Sequence, residues 1–255
     1  MVRFVNGIRS GTIPTPPRAE QGRQFGGPFF WSNDVSLETI HLRKLLKFFA
    51  LNDERARSAL RREHYEDRRR AEFPNEGGGD FHAPFWSDAK SHVSHGLDLG
   101  EATEIRIERN DRRSRLYPIM TDRFLAWWQI EQRGTNEVLR PLDENVHGRL
   151  TFADLQMTVK VDNLMSFQVG VDGHRLIYPY FSETPALNEH WGRLALWVMG
   201  RVLTSFSVED GVVLDLHRSA SYRTHTHALW GDENARFAAS VRRLQRIWDE
   251  ITAEA

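Results

Sequence analysis

A run of aromatic residues, Tyr178-Pro179-Tyr180-Phe181, closes a segment of alternating residues, and Arg193 and Trp197 follow it on the next predicted helix. Ring faces of this kind stack on nucleic-acid bases, and neighbouring arginines meet phosphates. Tyr, Trp and Arg are equally the residues that dominate protein–protein contacts. Arg175, Tyr178, Tyr180, Arg193 and Trp197 therefore form the candidate binding surface. The plainer reading is an aromatic strand end packed into the core over the first helix, where large aromatics commonly lie. Asp162, at the end of Val159-Lys160-Val161, is the candidate catalytic carboxylate.

The histidines offer a second chemistry. Arg223, His225 and His227 alternate, which on a strand puts them on one face. Asp215 and His217 alternate in the same way just upstream. A His-x-His pair with a carboxylate supplies the ligand types of a zinc-like site. The motif is short and common, so a solvent-facing strand side is the default and no metal is favoured. His92 and His95, with Asp98, form a weaker set on an expected loop that also carries His82. Arg55, Arg57, Arg61, Arg62, Arg68, Arg69 and Arg70 can follow a phosphate backbone, but Asp53, Glu54, Glu63, Glu66 and Asp67 interrupt them. A solvated helical face is the expectation there. No phosphate-binding loop, dinucleotide fingerprint, HExxH motif or nucleophile elbow is present.

Composition narrows the choices. With 255 residues, 40% hydrophobic and 27% charged, the chain can bury a sizeable core. A formal net charge of −1 restricts any nucleic-acid role to a local basic patch. The absence of cysteine excludes disulfides, thiol nucleophiles and Cys-ligated zinc. No apolar run is long enough to span a membrane, and the first residues do not resemble a signal peptide, so a cytoplasmic, bacterial protein is expected.

The elements that must position these residues divide the chain into two regions, a helical and loop-rich part over residues 1–149 and an α/β core over 150–255, joined in one unit. Residues 1–34, broken by Pro and Gly but rich in Phe, are expected to lie pinned across the domain surface. A helix is predicted from near Ser36, with Leu42, Leu45, Leu46 and Phe49 on one face, continuing into a charged helix that ends at Pro74 and Gly77–Gly79. Residues 80–99 read as a loop, 104–108 as a short strand with Ile105 and Ile107 inward, and Phe124–Trp128 as a buried helix. Ala153 to Val161 alternates as one strand; Phe167, Val169 and Val171 continue it, Asp172-Gly173 turns a hairpin, and Arg175–Tyr178 returns. Thr184 and Pro185 are expected to start a helix, followed by strands at 212–216 and 222–229 and a last helix capped by Asp232 with a seam at Phe237, Val241, Leu244 and Trp248. The fold class expected is α/β (α+β), with a mixed central sheet flanked by helices.

The order strand, β-hairpin, helix, strand, strand, helix resembles the core of the PD-(D/E)XK nuclease superfamily, in its RecB-type exonuclease form, over about residues 150–230. In that resemblance Asp162 takes the place of the carboxylate that ends the second core strand. The acid-x-Lys set of the next strand is replaced by Tyr178-Pro179-Tyr180, and Arg193 to Trp197 stands where a Gln and a Tyr are expected. Magnesium needs carboxylate oxygens, and hydrolysis needs an activated water. The resemblance therefore implies a degenerate core that contacts nucleic acid or a partner protein without cleaving it, of the kind found in bacterial defence or mobile-element systems. Two alternatives stand beside it. One is a Mg- or Mn-dependent phosphodiester hydrolase using Asp162, Asp215, His225 and His227. The other is a purely structural interaction subunit.

Overall fold

The computed structural model describes residues 37–73, 80–142 and 144–254. The expectations for residues 1–34, for Ser36, and for the break at Pro74 and Gly77–Gly79 lie outside that range. Leu42, Leu45, Leu46 and Phe49 are buried on one face of a helix, as their spacing requires. That helix, α1, spans Leu42–Phe49 and begins directly after a short strand, β1 (Thr39–His41). The helix therefore starts six residues later than the sequence suggests. Asn52 accepts a hydrogen bond from the Arg55 N–H (3.0 Å) and starts the charged helix α2 (Asp53–Glu72).

Two expectations in the next stretch are corrected. The supposed loop contains α3 (Ala83–His95), which starts with a Pro in its first turn, buries Phe85, Trp86 and Ala89, and ends at Gly96 with a left-handed φ of 70°. The supposed strand at 104–108 belongs to α4 (Leu99–Arg109), capped by Asp98. Leu99 and Thr103, four residues apart, are its buried pair, whereas Ile105 is exposed. Two β-branched residues at i and i+2 imitated a strand inside a helix. The α5 helix (Leu116–Arg133) buries Phe124, Trp127 and Trp128 as expected.

Among the described residues eight strands form two mixed sheets, so the fold is α+β. The central sheet has the order β2-β5-β6-β7-β8, built from Leu139–Pro141, Met165–Val169, Gly173–Tyr180, Gly211–Asp215 and Ala220–Tyr222. In it β6 and β7 run parallel, and the other described neighbours run antiparallel. The second sheet has the order β1-β4-β3, with β3 at Gly148–Phe152 and β4 at Met157–Val161, and β1 runs parallel to β4. β4 thus pairs outside the central sheet, and strands from both sides of residue 149 share the two sheets. Helix α6 (Glu189–Val202) and helix α7 (Glu233–Ala253) complete the order.

The central sheet separates two cores. Along β6, Leu176, Tyr178 and Tyr180 enter one with α1, α6, α7 and the second sheet. Ile177, and Phe181 beyond the strand end, enter the other with α3 and α5. That is the period-2 alternation of a strand covered on both faces. No helix among the described residues is long and apolar enough to cross a membrane.

Other boundaries shift for local reasons. The alternation from Ala153 to Val161 is interrupted: Ala153–Leu155 forms a 3-10 turn, Gln156 is left-handed (φ 49°), and β3 and β4 pair as a hairpin around it. In the later hairpin the positive φ belongs to Gly170 (62°), Gly173 pairs with Val169, and Val171 is exposed at the tip. Asn188, not Thr184, caps α6, accepting from the Trp191 N–H (3.0 Å). The strand expected at 222–229 ends at Tyr222. Residues 223–227 turn, with the N–H groups of Thr226 and His227 both donating to the Arg223 carbonyl (3.2 and 2.7 Å).

Candidate functional site

The expected aromatic surface lies inside the protein. Tyr178 and Tyr180 are 1% and 0% exposed, so neither can stack on a base. Each hydroxyl is committed. Tyr178 Oη accepts the Arg43 backbone N–H (2.7 Å), and Tyr180 Oη donates to the Pro185 carbonyl (2.8 Å). Arg43 is the second residue of α1, where backbone N–H groups lack helical partners, and the His41 side chain makes no cap. Tyr178 therefore supplies the cap that α1 lacks. Burial pushes both phenols up, Tyr180 to about 12.

The other proposed contacts are also internal. Arg175 and Arg223 each take one oxygen of the buried Glu131 carboxylate, locking α5 to the central sheet. Arg193 donates to the Ala228 carbonyl (3.1 Å), pairs with Glu189 and lies over the Trp230 ring (4.6 Å). Trp197 packs on Phe152 and Phe237.

The metal candidates do not assemble. Asp215 is fully buried, accepts from the Leu187 N–H (3.1 Å) and pairs with Arg218 (3.0 Å). His225 is exposed on the turn, and His227 Nδ1 is 2.8 Å from Thr226 Oγ1. The loss of the strand beyond Tyr222 removes the shared face that would have joined them. Among the described residues no group of three or more His, Asp or Glu can hold a metal ion. In the Arg-rich helix, Arg57 pairs with Glu250 of α7 and Arg61 with Glu254 just past its end.

A different set of side chains converges on a cleft of about 800 Å³ at the carboxyl end of β6. In sheets with parallel strands this end gathers loops and helix starts, and ligands bind there. The burial of Leu42, Leu45, Leu46 and Phe49 turns the opposite face of α1 outward, and Arg43, Lys44 and Lys47 line one wall of the cleft. Arg43 pairs with Asp80 (2.7 Å) and Lys44 with Glu63; Lys47 forms no ion pair among the described residues. Phe181, Ser182, Glu183 and Thr184 supply the opposite side. Arg115 grips Glu183 in a bidentate pair (2.7 and 2.8 Å) and holds its carboxyl below the usual range.

Two histidines border this cleft. The parallel register pairs His41 with Lys160, so Asp162 stands one step beyond the end of β4, in diagonal reach of the imidazole. His41 Nδ1 lies 3.1 Å from Asp162 Oδ1 and 3.0 Å from Oδ2. The hydrogen bond from His41 holds the Asp162 carboxyl below its ordinary value, with Arg43 and Lys160 assisting. The next residue, Asn163, takes a left-handed φ of 60° and is tied to α3. Its carbonyl accepts from Trp86 Nε1 (2.7 Å) and its Oδ1 from Lys90 Nζ (3.0 Å).

His82, just ahead of α3, stacks on Phe181 (4.8 Å, 2°), and its backbone N–H donates to Asp80 Oδ1 (2.9 Å). Burial lowers its pKa to about 4 despite Asp80, with His217, Arg43 and Lys47 adding to the fall. The aromatic run is thus the floor under the site: Tyr178 holds α1 and Phe181 carries His82.

Sequence reasoning singled out Asp162, which lies beside His41, and did not single out His41, Lys44, Lys47 or Asp80. The signal available was the cationic stripe of Leu42–Phe49, which is the complement of the apolar stripe that was recognised. No family model matches the chain, and no curated protein matches it.

Proposed function

We propose that the protein binds a nucleic-acid strand by its phosphates in this cleft, as the degenerate nuclease-like reading anticipates. The observation that carries this reading is the cationic face of α1, with Arg43, Lys44 and Lys47 on one wall of a cleft at the carboxyl end of β6 that Glu63, Asp80 and Glu183 also line. The buried tyrosines remove base stacking by the run itself, so contacts to the backbone dominate and sequence preference is weak. Near-neutral overall charge makes the affinity modest. Arg43 and Lys44 are already paired with Asp80 and Glu63, so Lys47 is the cation left for a phosphate, and one neutralised phosphate on a single strand gives a salt slope of about −0.7, or roughly a threefold loss between 50 and 200 mM salt.

The test is fluorescence anisotropy with labelled single-stranded DNA, single-stranded RNA and duplex DNA across a salt series. Single strands are expected to bind, with the slope falling toward zero and affinity dropping at least tenfold in the Lys44→Glu/Lys47→Glu variant. Absence of binding at low salt, or binding indifferent to that variant, overturns the reading.

A further inference from the structure

We propose that His41, oriented by Asp162, gives this cleft a metal-independent RNA-cleaving activity. The inference rests on strand binding in the cleft as proposed above. Its own basis is the geometry of the pair. A carboxylate only accepts hydrogen bonds, so the imidazole nitrogen that faces Asp162 at 3.0–3.1 Å, Nδ1, carries the hydrogen. In the neutral imidazole Nε2 then carries the lone pair, and it takes no hydrogen bond among the described residues. His41 borders the cleft, with Asp162 behind it, and their side chains are 41% and 35% exposed, so the imidazole is both held and reachable. Arg43 and Lys47 line the same cleft.

A base beside cations, with the lining carboxylates Glu63, Asp80 and Glu183 each held in an ion pair, suits a substrate that carries its own nucleophile. RNA does, in its 2′-hydroxyl. In the step proposed, His41 Nε2 takes the 2′-hydroxyl proton as O2′ bonds to the adjacent phosphorus. The P–O5′ bond breaks, and O5′ leaves with the electron pair and takes a proton from water. The imidazolium then returns its proton to the hydroxide so formed. The products are a 2′,3′-cyclic phosphate and a 5′-hydroxyl, and nothing is oxidised or reduced. Asp162 stabilises the imidazolium, and Arg43 and Lys47 meet the charge that develops on the phosphorane oxygens.

The other titratable groups nearby are unsuited to the role. His82 is stacked against Phe181 with its Nδ1 buried and unpartnered among the described residues. His217 Nε2 donates to the Phe181 carbonyl (3.0 Å), and Asp215 is committed to Leu187 and Arg218. DNA, lacking the 2′-hydroxyl, is bound and left intact.

The test uses the full chain with labelled single-stranded RNA of about 20 nucleotides and the DNA of the same sequence, both in EDTA, followed by end-group analysis. The expected result is cleavage of RNA alone, with cyclic phosphate ends, abolished by a 2′-deoxy substitution at the cut. At saturating RNA, His41→Gln and His41→Asn lower the single-turnover rate at least 100-fold, the size of a general-base contribution, and leave Kd within about twofold. Asp162→Asn, a change in a positioning residue, lowers the rate and not Kd. RNA that binds but stays intact in EDTA overturns this inference and leaves the binding reading standing. So does cleavage that survives both His41 variants. Failure of RNA and DNA alike to bind overturns both.

Discussion

Asp162 and Asp215 occupy matching positions and behave in opposite ways. Each lies at the carboxyl end of a strand with a parallel neighbour, Asp162 just past β4 and Asp215 as the last residue of β7. Asp215 is wholly enclosed. Desolvation raises its pKa although Leu187 and Arg218 both oppose the rise. Asp162 keeps a third of its side chain in solvent, and its hydrogen bond with His41 lowers its pKa. The difference teaches that a carboxylate at a strand end is not a site in itself. What surrounds it decides whether it holds the loop after β6 in place or orients an imidazole beside a cleft.

The sharpest way to break this contrast is Asp215→Ala. It leaves the Leu187 N–H without its acceptor and takes the carboxylate from Arg218, which keeps the Glu183 carbonyl, and a loss of about 3 kcal/mol is expected in urea denaturation. A loss no larger than that of the matching Asp162 variant would erase the distinction.

Acid separates the same groups by sign. His82 has a folded pKa of about 4 against 6.5 unfolded, so the unfolded chain binds the extra proton between those values. The stability His82 contributes is complete above pH 6.5 and is lost as pH falls toward 4, by on the order of 3 kcal/mol. His82→Phe should flatten that limb of a pH-dependent unfolding series. Asp162, with a lowered pKa, contributes stability above its unfolded value of 3.8 that is lost below it. Asp215, with a raised one, carries a penalty at neutral pH that protonation relieves. Asp162→Asn and Asp215→Asn should therefore shift the acid limb in opposite directions.

Tyr178→Phe removes the acceptor for the Arg43 N–H and should cost about 1–2 kcal/mol in the same denaturation assay. If it costs nothing, the start of α1 is held by something other than this cap. The smallest effect is expected for Asp162→Asn on stability, below about 1 kcal/mol, because the pair it weakens is half exposed.

Much of the architecture was legible where one period ran uninterrupted. The apolar face of α1, the aromatic centre of α5, the hairpin near Asp172 and the seam of α7 all read directly. Errors arose where two periods coexist over a few residues. Ile105 and Ile107 imitated a strand within α4, and Arg223, His225 and His227 imitated one in a turn. The site was harder to read because His41 and Lys47, Asp80, Asp162, and Phe181 come from four separated segments. Only the parallel β1–β4 register and the junction into α1 bring His41 to Asp162.

The sequence by itself determined that this is a cysteine-free α+β protein with an amphipathic first helix and a strand ending in an aromatic run, because periodicity and turn chemistry are local properties. The tertiary structure alone decided which way that run faces. Tyr178 and Tyr180 were legible as aromatic, but covering both faces of β6 buried them in the core beneath a cleft that Phe181 lines and whose walls come from elsewhere in the chain. Burial on two faces is a property of the layers that pack on a strand, and no spacing within the strand encodes it.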